Sequence, residues 1–277
     1  MAPELTLEST VTLANGVEMP RFGLGTYKAR GDDVERSVLT ALDLGYRSID
    51  TASMYENEKV IGRALRESGV PREDVFLTTK VWNDEQGFAE TQRALARSLR
   101  RLGTDYIDLY LVHWPMREHF YETWQAMESL LADGHARAIG VCNFLVPHLE
   151  LLAEKATVMP MVDQYEFHPY LQQPELHAYC DDNGIAVEAW APIMRGRVDA
   201  VETLVQVGKR HDKSPAQVSL RWLLQRGAIV IPKSVHAGRI RENAELFDFE
   251  LSEAEVAAID ALDRGERLGR DPMTMAW

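Results

Sequence analysis

Two alternating patterns constrain the fold of this chain more than any other feature. Short apolar runs fall at residues 21–25, 48–50, 75–81, 107–113, 138–142, 161–165, 186–190 and 229–232. Amphipathic runs with helical spacing separate them, at 33–44, 56–68, 90–102, 120–132, 146–156, 175–183 and 201–224. Strands whose residues are apolar throughout are covered on both faces, the condition of a parallel sheet flanked by helices. Eight such units in about 250 residues match the size of a (β/α)8 TIM barrel. The expectation is therefore an α/β fold, one barrel domain over residues 1–277. Residues 5–13, with the turn signal Asn15-Gly16, predict an N-terminal β-hairpin cap. Residues 267–277 leave only a short C-terminal loop. The competing doubly wound sheet carries a third glycine in its dinucleotide loop. Here Gly23-Leu24-Gly25 is followed by Thr26-Tyr27-Lys28, and that signature fails.

Polar residues at the ends of these strands carry the chemistry. Asp50 ends one run and Tyr55 follows in its loop; Lys80 lies near the end of the next, and His113 ends the third. Barrel active sites are built at strand C-terminal ends, where all four of these fall. A phenol is a general acid if a neighbour lowers its pKa from about 10. The Lys80 ammonium suits that task, because a nearby cation stabilises the phenolate. Asp50 would hold Lys80 charged, and His113 would orient a substrate carbonyl. Together they describe protonation of a carbonyl oxygen while a reductant attacks its carbon. Each has a plainer reading alone: a helix cap, a covered first turn, a solvent-facing charge, a packed turn. Their joint placement favours the site.

The segment from Ile231 to Asn243 forms a second constellation. It follows the eighth strand and opens a helix, where barrels commonly hold phosphate. Lys233, Ser234 and Arg239 offer two charges and a hydroxyl suited to a phosphomonoester. Asn243 lies one turn beyond Arg239 and suits a purine ring.

Composition narrows the partners. The formal net charge is −13, which argues against nucleic acid and anionic membrane, since both need a basic face. No apolar stretch approaches the roughly 20 residues that span a bilayer. The N-terminus lacks a basic region followed by an apolar core, so a signal peptide is not expected. Cys142 and Cys180 are the two cysteines, with no metal-ligand spacing. That usage fits a reducing, cytoplasmic setting without disulfides or a metal.

On these motifs the chain resembles the aldo-keto reductases. The resemblance rests on Gly25-Thr26, the block from Asp50 to Glu58, and Thr78-Thr79-Lys80-Val81-Trp82. It continues through Leu111-Val112-His113-Trp114-Pro115, Ile139-Gly140-Val141-Cys142-Asn143-Phe144, and the run from Ile231 to Asn243. Within the family the chain is similar to the bacterial glyoxal/methylglyoxal reductase and 2,5-diketogluconate reductase group. The resemblance implies a barrel that binds NADPH extended, with Tyr55 as the acid, tuned by Lys80 and Asp50, and His113 orienting the carbonyl. It implies that Asn143 and Gln164 hold the nicotinamide carboxamide and that Trp190 stacks on the ring. Lys233, Ser234, Arg239 and Asn243 would clamp the 2′-phosphate and adenine, so NADPH is expected over NADH. Gly25, Thr26, Tyr27, Ala191, Pro192, Ile193, Ile231, Val235 and Glu242 would line the remaining cofactor path. Three positions depart from the pattern: Cys142 and Ala191 each replace a serine, and Asp163 replaces an asparagine. None touches the four catalytic candidates, so altered cofactor affinity is expected, not lost chemistry.

Short segments around the site, 116–119 and 267–277, imply an open pocket. Tyr27, Trp82, Trp114 and Trp277 would form its aromatic rim, suited to small aldehydes and α-dicarbonyls with broad specificity. Two rivals remain at this level. One is a regulatory protein that holds NADPH without turnover; the other is a Schiff-base aldolase using Lys80. The resemblance leans towards a monomer.

Overall fold

The computed structural model describes residues 5–275. The hairpin strands β1 (Thr10–Thr12) and β2 (Glu18–Pro20) pair antiparallel around the turn at Asn15-Gly16. Paired structure starts later than the expected residue 5, because Ser9 N–H bonds the Thr6 carbonyl in a turn instead. Asn15 Nδ2 donates to the Arg137 carbonyl and Arg21 Nη1 to that of Gly227. Both carbonyls lie at the N-terminal end of barrel strands, so the hairpin caps that end.

Eight parallel strands follow: β3 (Leu24–Gly25), β4 (Ser48–Asp50), β5 (Phe76–Val81), β6 (Ile107–Val112), β7 (Ala136–Cys142), β8 (Val162–Glu166), β9 (Ala186–Trp190) and β10 (Ile229–Val230). They hydrogen-bond in sequence order, and bridges from Phe22 to Val230 and from Gly25 to Lys233 close the ring. Gly25 makes that closure possible: a Cβ there would lie 2.7 Å from the Ile231 carbonyl oxygen. The glycine pair read as a failed dinucleotide loop thus has a packing reason.

Helices α1 (Gly31–Asp43), α2 (Glu58–Glu67), α3 (Phe88–Leu102), α4 (Phe120–Ala132), α5 (Val146–Ala153) and α6 (Pro174–Asp182) cover the outside. The run at 201–224 was expected as one helix and is two, α7 (Glu202–His211) and α8 (Pro215–Gln225). Asp212 turns left-handed at φ 55°, Ser214 caps Gln217 N–H, and Pro215 occupies the first helical turn. Proline is tolerated there and breaks a helix interior, so the split follows. The chain ends with α9 (Ala237–Ala244), α10 (Glu253–Asp260) and α11 (Pro272–Met275). Leu109, Leu111, Ile139, Val162 and Ala189 are among the fully buried residues of the strands, the two-sided burial that their composition predicted.

Candidate active site

The strand C-terminal ends open into one cavity of about 1120 Å³. Lys80, fully buried on β5, is held by both carboxylate oxygens of Asp50 on β4, at 2.7 and 2.6 Å, and by the Thr51 carbonyl at 2.9 Å. Burial pulls the ammonium down, but Asp50 and then Tyr55 more than offset it, so Lys80 stays charged well above its ordinary range. An amine with three engaged N–H bonds and a raised pKa offers no lone pair to a carbonyl. The Schiff-base reading of Lys80 has no support in this arrangement.

Tyr55 ends a short 3-10 turn, Ser53–Tyr55, and its ring centre lies 5.2 Å from Lys80 Nζ. The expectation that Lys80 lowers the Tyr55 pKa needs correction for the protein alone. Burial raises the phenol above its ordinary value, and Lys80 is the opposing pull, not the winning one. Tyr55 is half-buried at the cavity wall, with its ring open to the cavity. Among the described residues, Lys80 is the cation nearest the Tyr55 ring.

The His113 ring stands edge-on to Tyr55 (5.7 Å between centroids) and to Trp82 (5.0 Å). Burial and then Lys80 depress its pKa far below the ordinary value, so the imidazole is neutral. Its Nδ1 is buried with no hydrogen-bond partner among the described residues. A buried bare acceptor costs less than an orphaned N–H, which assigns the proton to Nε2 and makes that atom the donor.

Beside these lies a polar wall. Asn143 Nδ2 donates to the His113 carbonyl at 3.0 Å and to Cys142 Sγ at 3.1 Å, and its Oδ1 accepts from Trp190 Nε1 at 2.9 Å. Gln164 Nε2 donates to Asp50 Oδ2, and its Oε1 meets the Cys142 thiol at 3.7 Å. Burial keeps that thiol protonated. At the far end Lys233 is half-buried and Arg239 is exposed, and Arg239 has no ion-pair partner among the described residues. Burial lowers the Lys233 pKa, opposed by Asp33. Ser234 starts the turn into α9 by accepting His236 N–H at 3.1 Å. Two unbalanced cations and a hydroxyl at a helix start fit a phosphomonoester, and the acceptor at Gln164 fits an amide N–H.

Of the residues singled out in the sequence, Gly25, Tyr27, Asp50, Tyr55, Trp82, His113, Trp114, Cys142, Asn143 and Gln164 line this cavity. So do Trp190, Ala191, Pro192, Ile193, Ile231, Lys233, Ser234, Val235, Arg239, Glu242 and Asn243. Lys80 and Thr26 lie beneath the wall, not on it. The Thr26 hydroxyl is buried and donates to the Asp50 carbonyl at 2.8 Å, which ties β3 to β4. Trp277 lies outside the described residues.

The C-terminal segment, expected only as a short loop beside the site, contributes a wall of the cavity. Leu268 and Gly269 N–H donate to the two Glu166 carboxylate oxygens at 2.6 and 3.0 Å, and His168 supports one of them at 3.0 Å. A Cβ on Gly269 would meet the Trp190 ring at 2.5 Å, so a glycine lets this strap lie against the indole. This segment lines the cavity through Leu268, Gly269, Arg270 and Met275. Its anchor is about a hundred residues away in sequence, and no local pattern announces it.

The aldo/keto reductase family profile matches residues 21–264. Glyoxal reductase of Bacillus subtilis is 52% identical over 96% of this chain and 97% of its own length. Methylglyoxal reductase DkgA of Yersinia pestis is 45% identical over 97% and 98%. An aspartate-to-alanine variant of Gox0644, solved in complex with NADPH, superposes with TM-score 0.93 at 40% identity, covering 98% of this chain and 99% of that one. The chain belongs to the aldo/keto reductase family, and with it to the NADP(H)-dependent oxidoreductases.

Proposed function

We propose that this protein reduces small aldehydes and α-dicarbonyl compounds to alcohols with NADPH, and that Tyr55 donates the proton. The observation that carries this reading is the Tyr55–Lys80–Asp50 cluster beside a neutral His113 at the floor of the cavity. NADPH, when bound, supplies the hydride that the carbonyl carbon accepts. His113 Nε2–H donates to the carbonyl oxygen and fixes its angle above Tyr55. As charge develops on that oxygen the Tyr55 proton passes to it, and Lys80 stabilises the phenolate left behind. Solvent returns the proton, and the Lys80–Asp50 pair is unchanged after each turnover. Gln164 and Asn143 would hold the nicotinamide carboxamide, Trp190 would lie beside its ring, and Lys233, Ser234 and Arg239 would hold the 2′-phosphate.

Tyr27, 42% exposed and 5.1 Å from the Tyr55 ring, forms a broad apolar rim with Trp82 and Trp114. Such a rim grips small carbonyl compounds without reading their polar groups, so specificity is broad. The test is NADPH consumption with methylglyoxal, an aromatic aldehyde and a 2,5-diketogluconate-type sugar keto acid. Comparable turnover of the first two supports the reading. A preference of several orders of magnitude for the keto acid would replace it with a sugar-acid reductase. NADPH binding without turnover of any carbonyl would point to a regulatory protein of the same fold.

A further inference from the structure

Glu188 stands in the middle of β9, fully buried, beside the catalytic floor. Gln164 Nε2 donates to two carboxyl oxygens at once, Asp50 Oδ2 at 2.9 Å and Glu188 Oε2 at 2.6 Å. An amide nitrogen carries two hydrogens and an amide oxygen carries none. The opposite orientation would press the amide oxygen against Asp50 Oδ2, an acceptor already committed to the Lys80 ammonium, and forfeit that hydrogen bond. The arrangement therefore admits one orientation of Gln164. Among the described residues its oxygen meets only the Cys142 thiol, a weak donor, and it remains available at the cavity wall.

We propose that Glu188 is a positioning residue for cofactor binding: with Asp50 it locks the Gln164 amide so that its oxygen faces the cavity as a fixed acceptor for a carboxamide N–H. This rests on the reading above, in which NADPH occupies the cavity. Asp50 alone would satisfy one Gln164 N–H and leave the amide free to swing about that bond. Glu188 engages the second N–H and removes the swing. Preorganising an acceptor in this way reduces the ordering cost that a ligand meets on binding.

The charge balance is consistent with that role. Asp50 takes the Lys80 ammonium through both oxygens, which leaves Glu188 with no cation of its own among the described residues. Burial, and then Asp50, push the Glu188 carboxyl up to about 8, with Gln164 and Lys80 opposing. Burial without a cation partner thus biases the Glu188 carboxyl towards its neutral form. Cys142 is the other titratable neighbour, and it too is protonated. A neutral carboxyl oxygen still accepts an N–H, so the lock does not depend on ionisation.

The test is the dissociation constant of NADPH, read from nicotinamide fluorescence without any carbonyl substrate. Glu188→Met keeps the volume and removes the acceptor, and affinity should fall by about tenfold. Glu188→Gln restores an acceptor and should bind NADPH within about threefold of the wild type. In a Gln164→Leu background the same methionine change should add less than about twofold, because its target is gone. Wild-type affinity in Glu188→Met, or an equal loss in both backgrounds, would overturn the proposal. If the methionine variant fails to fold, a loss near tenfold in Glu188→Gln would overturn it, and retained affinity there would support it. Failure of the wild type to bind NADPH would instead overturn the functional reading. Normal wild-type binding with an unaffected Glu188→Met would remove only the role given to Glu188.

Discussion

Asp108 and Glu188 are both buried acidic residues within barrel strands, and they lie towards opposite ends of the barrel. Asp108, near the start of β6, has complete partners: Arg72 Nη2 at 2.7 Å, Arg137 Nη1 at 2.8 Å and Leu77 N–H at 3.0 Å. The other end is left incomplete. Glu188 Oε1 and His113 Nδ1 have no hydrogen-bond partner among the described residues, and Gln164 keeps an acceptor turned to the cavity. A folded chain leaves polar groups unsatisfied only where something compensates for the cost, and active sites are the usual place. The N-terminal end of this barrel is built for stability, and the C-terminal end is built to be completed by ligands.

The sharpest attempt to break this contrast is Asp108→Ala. It leaves Arg72 and Arg137 without their buried partner, though both reach solvent, and should cost about 2–3 kcal/mol of stability. Turnover per folded molecule should stay close to that of the wild type. A large loss of turnover at unchanged stability, measured by denaturant melts beside initial rates, would contradict the division of labour.

Asp163, on β8, tests the same contrast from the unsatisfied side. Neither of its carboxyl oxygens has a side-chain hydrogen-bond partner among the described residues, and burial raises its pKa well above the ordinary value, opposed by the Phe144 backbone. The folded protein therefore keeps a proton that the unfolded chain releases above about pH 4. Stability must fall as pH rises beyond that point, by up to about 1.4 kcal/mol per unit from this group. Asp163→Asn removes the titration, so its melting temperature should exceed that of the wild type by a margin that widens from pH 5 to 8. A constant margin would show that Asp163 does not carry its proton into the fold.

The smallest of these effects belongs to the cavity's far end. Arg239→Ala should weaken NADPH by about tenfold and leave NADH within about twofold. Equal losses for both cofactors would place the 2′-phosphate elsewhere.

Much of this was legible in the sequence, for identifiable reasons. Strands covered on both faces must be apolar throughout, so the eight strands stood out, and the acid, phenol, ammonium and imidazole marked their ends. The break between α7 and α8 was also written, in Ser214-Pro215, but helical periodicity across 201–224 masked it. Thr26 was placed on the cavity wall because sequence does not show where a hydroxyl turns, and here it turns to the Asp50 carbonyl. The strap that Glu166 holds against Trp190 depends on pairing distant segments, which no local pattern encodes. Glu188 did leave a trace, as a lone acid inside the apolar run Val187-Glu188-Ala189. Its meaning required the position of Gln164 on the neighbouring strand.

The central claim is that Tyr55 supplies the proton at the incomplete end of the barrel. Tyr55→Phe removes that hydroxyl and leaves the Lys80–Asp50 pair and the cofactor wall in place. The direct measurement is methylglyoxal turnover of this variant beside its NADPH dissociation constant. The account predicts a loss of about a thousandfold or more in turnover, with NADPH affinity near that of the wild type. Turnover above a few per cent of the wild type, with affinity intact, would mean that another group gives the proton.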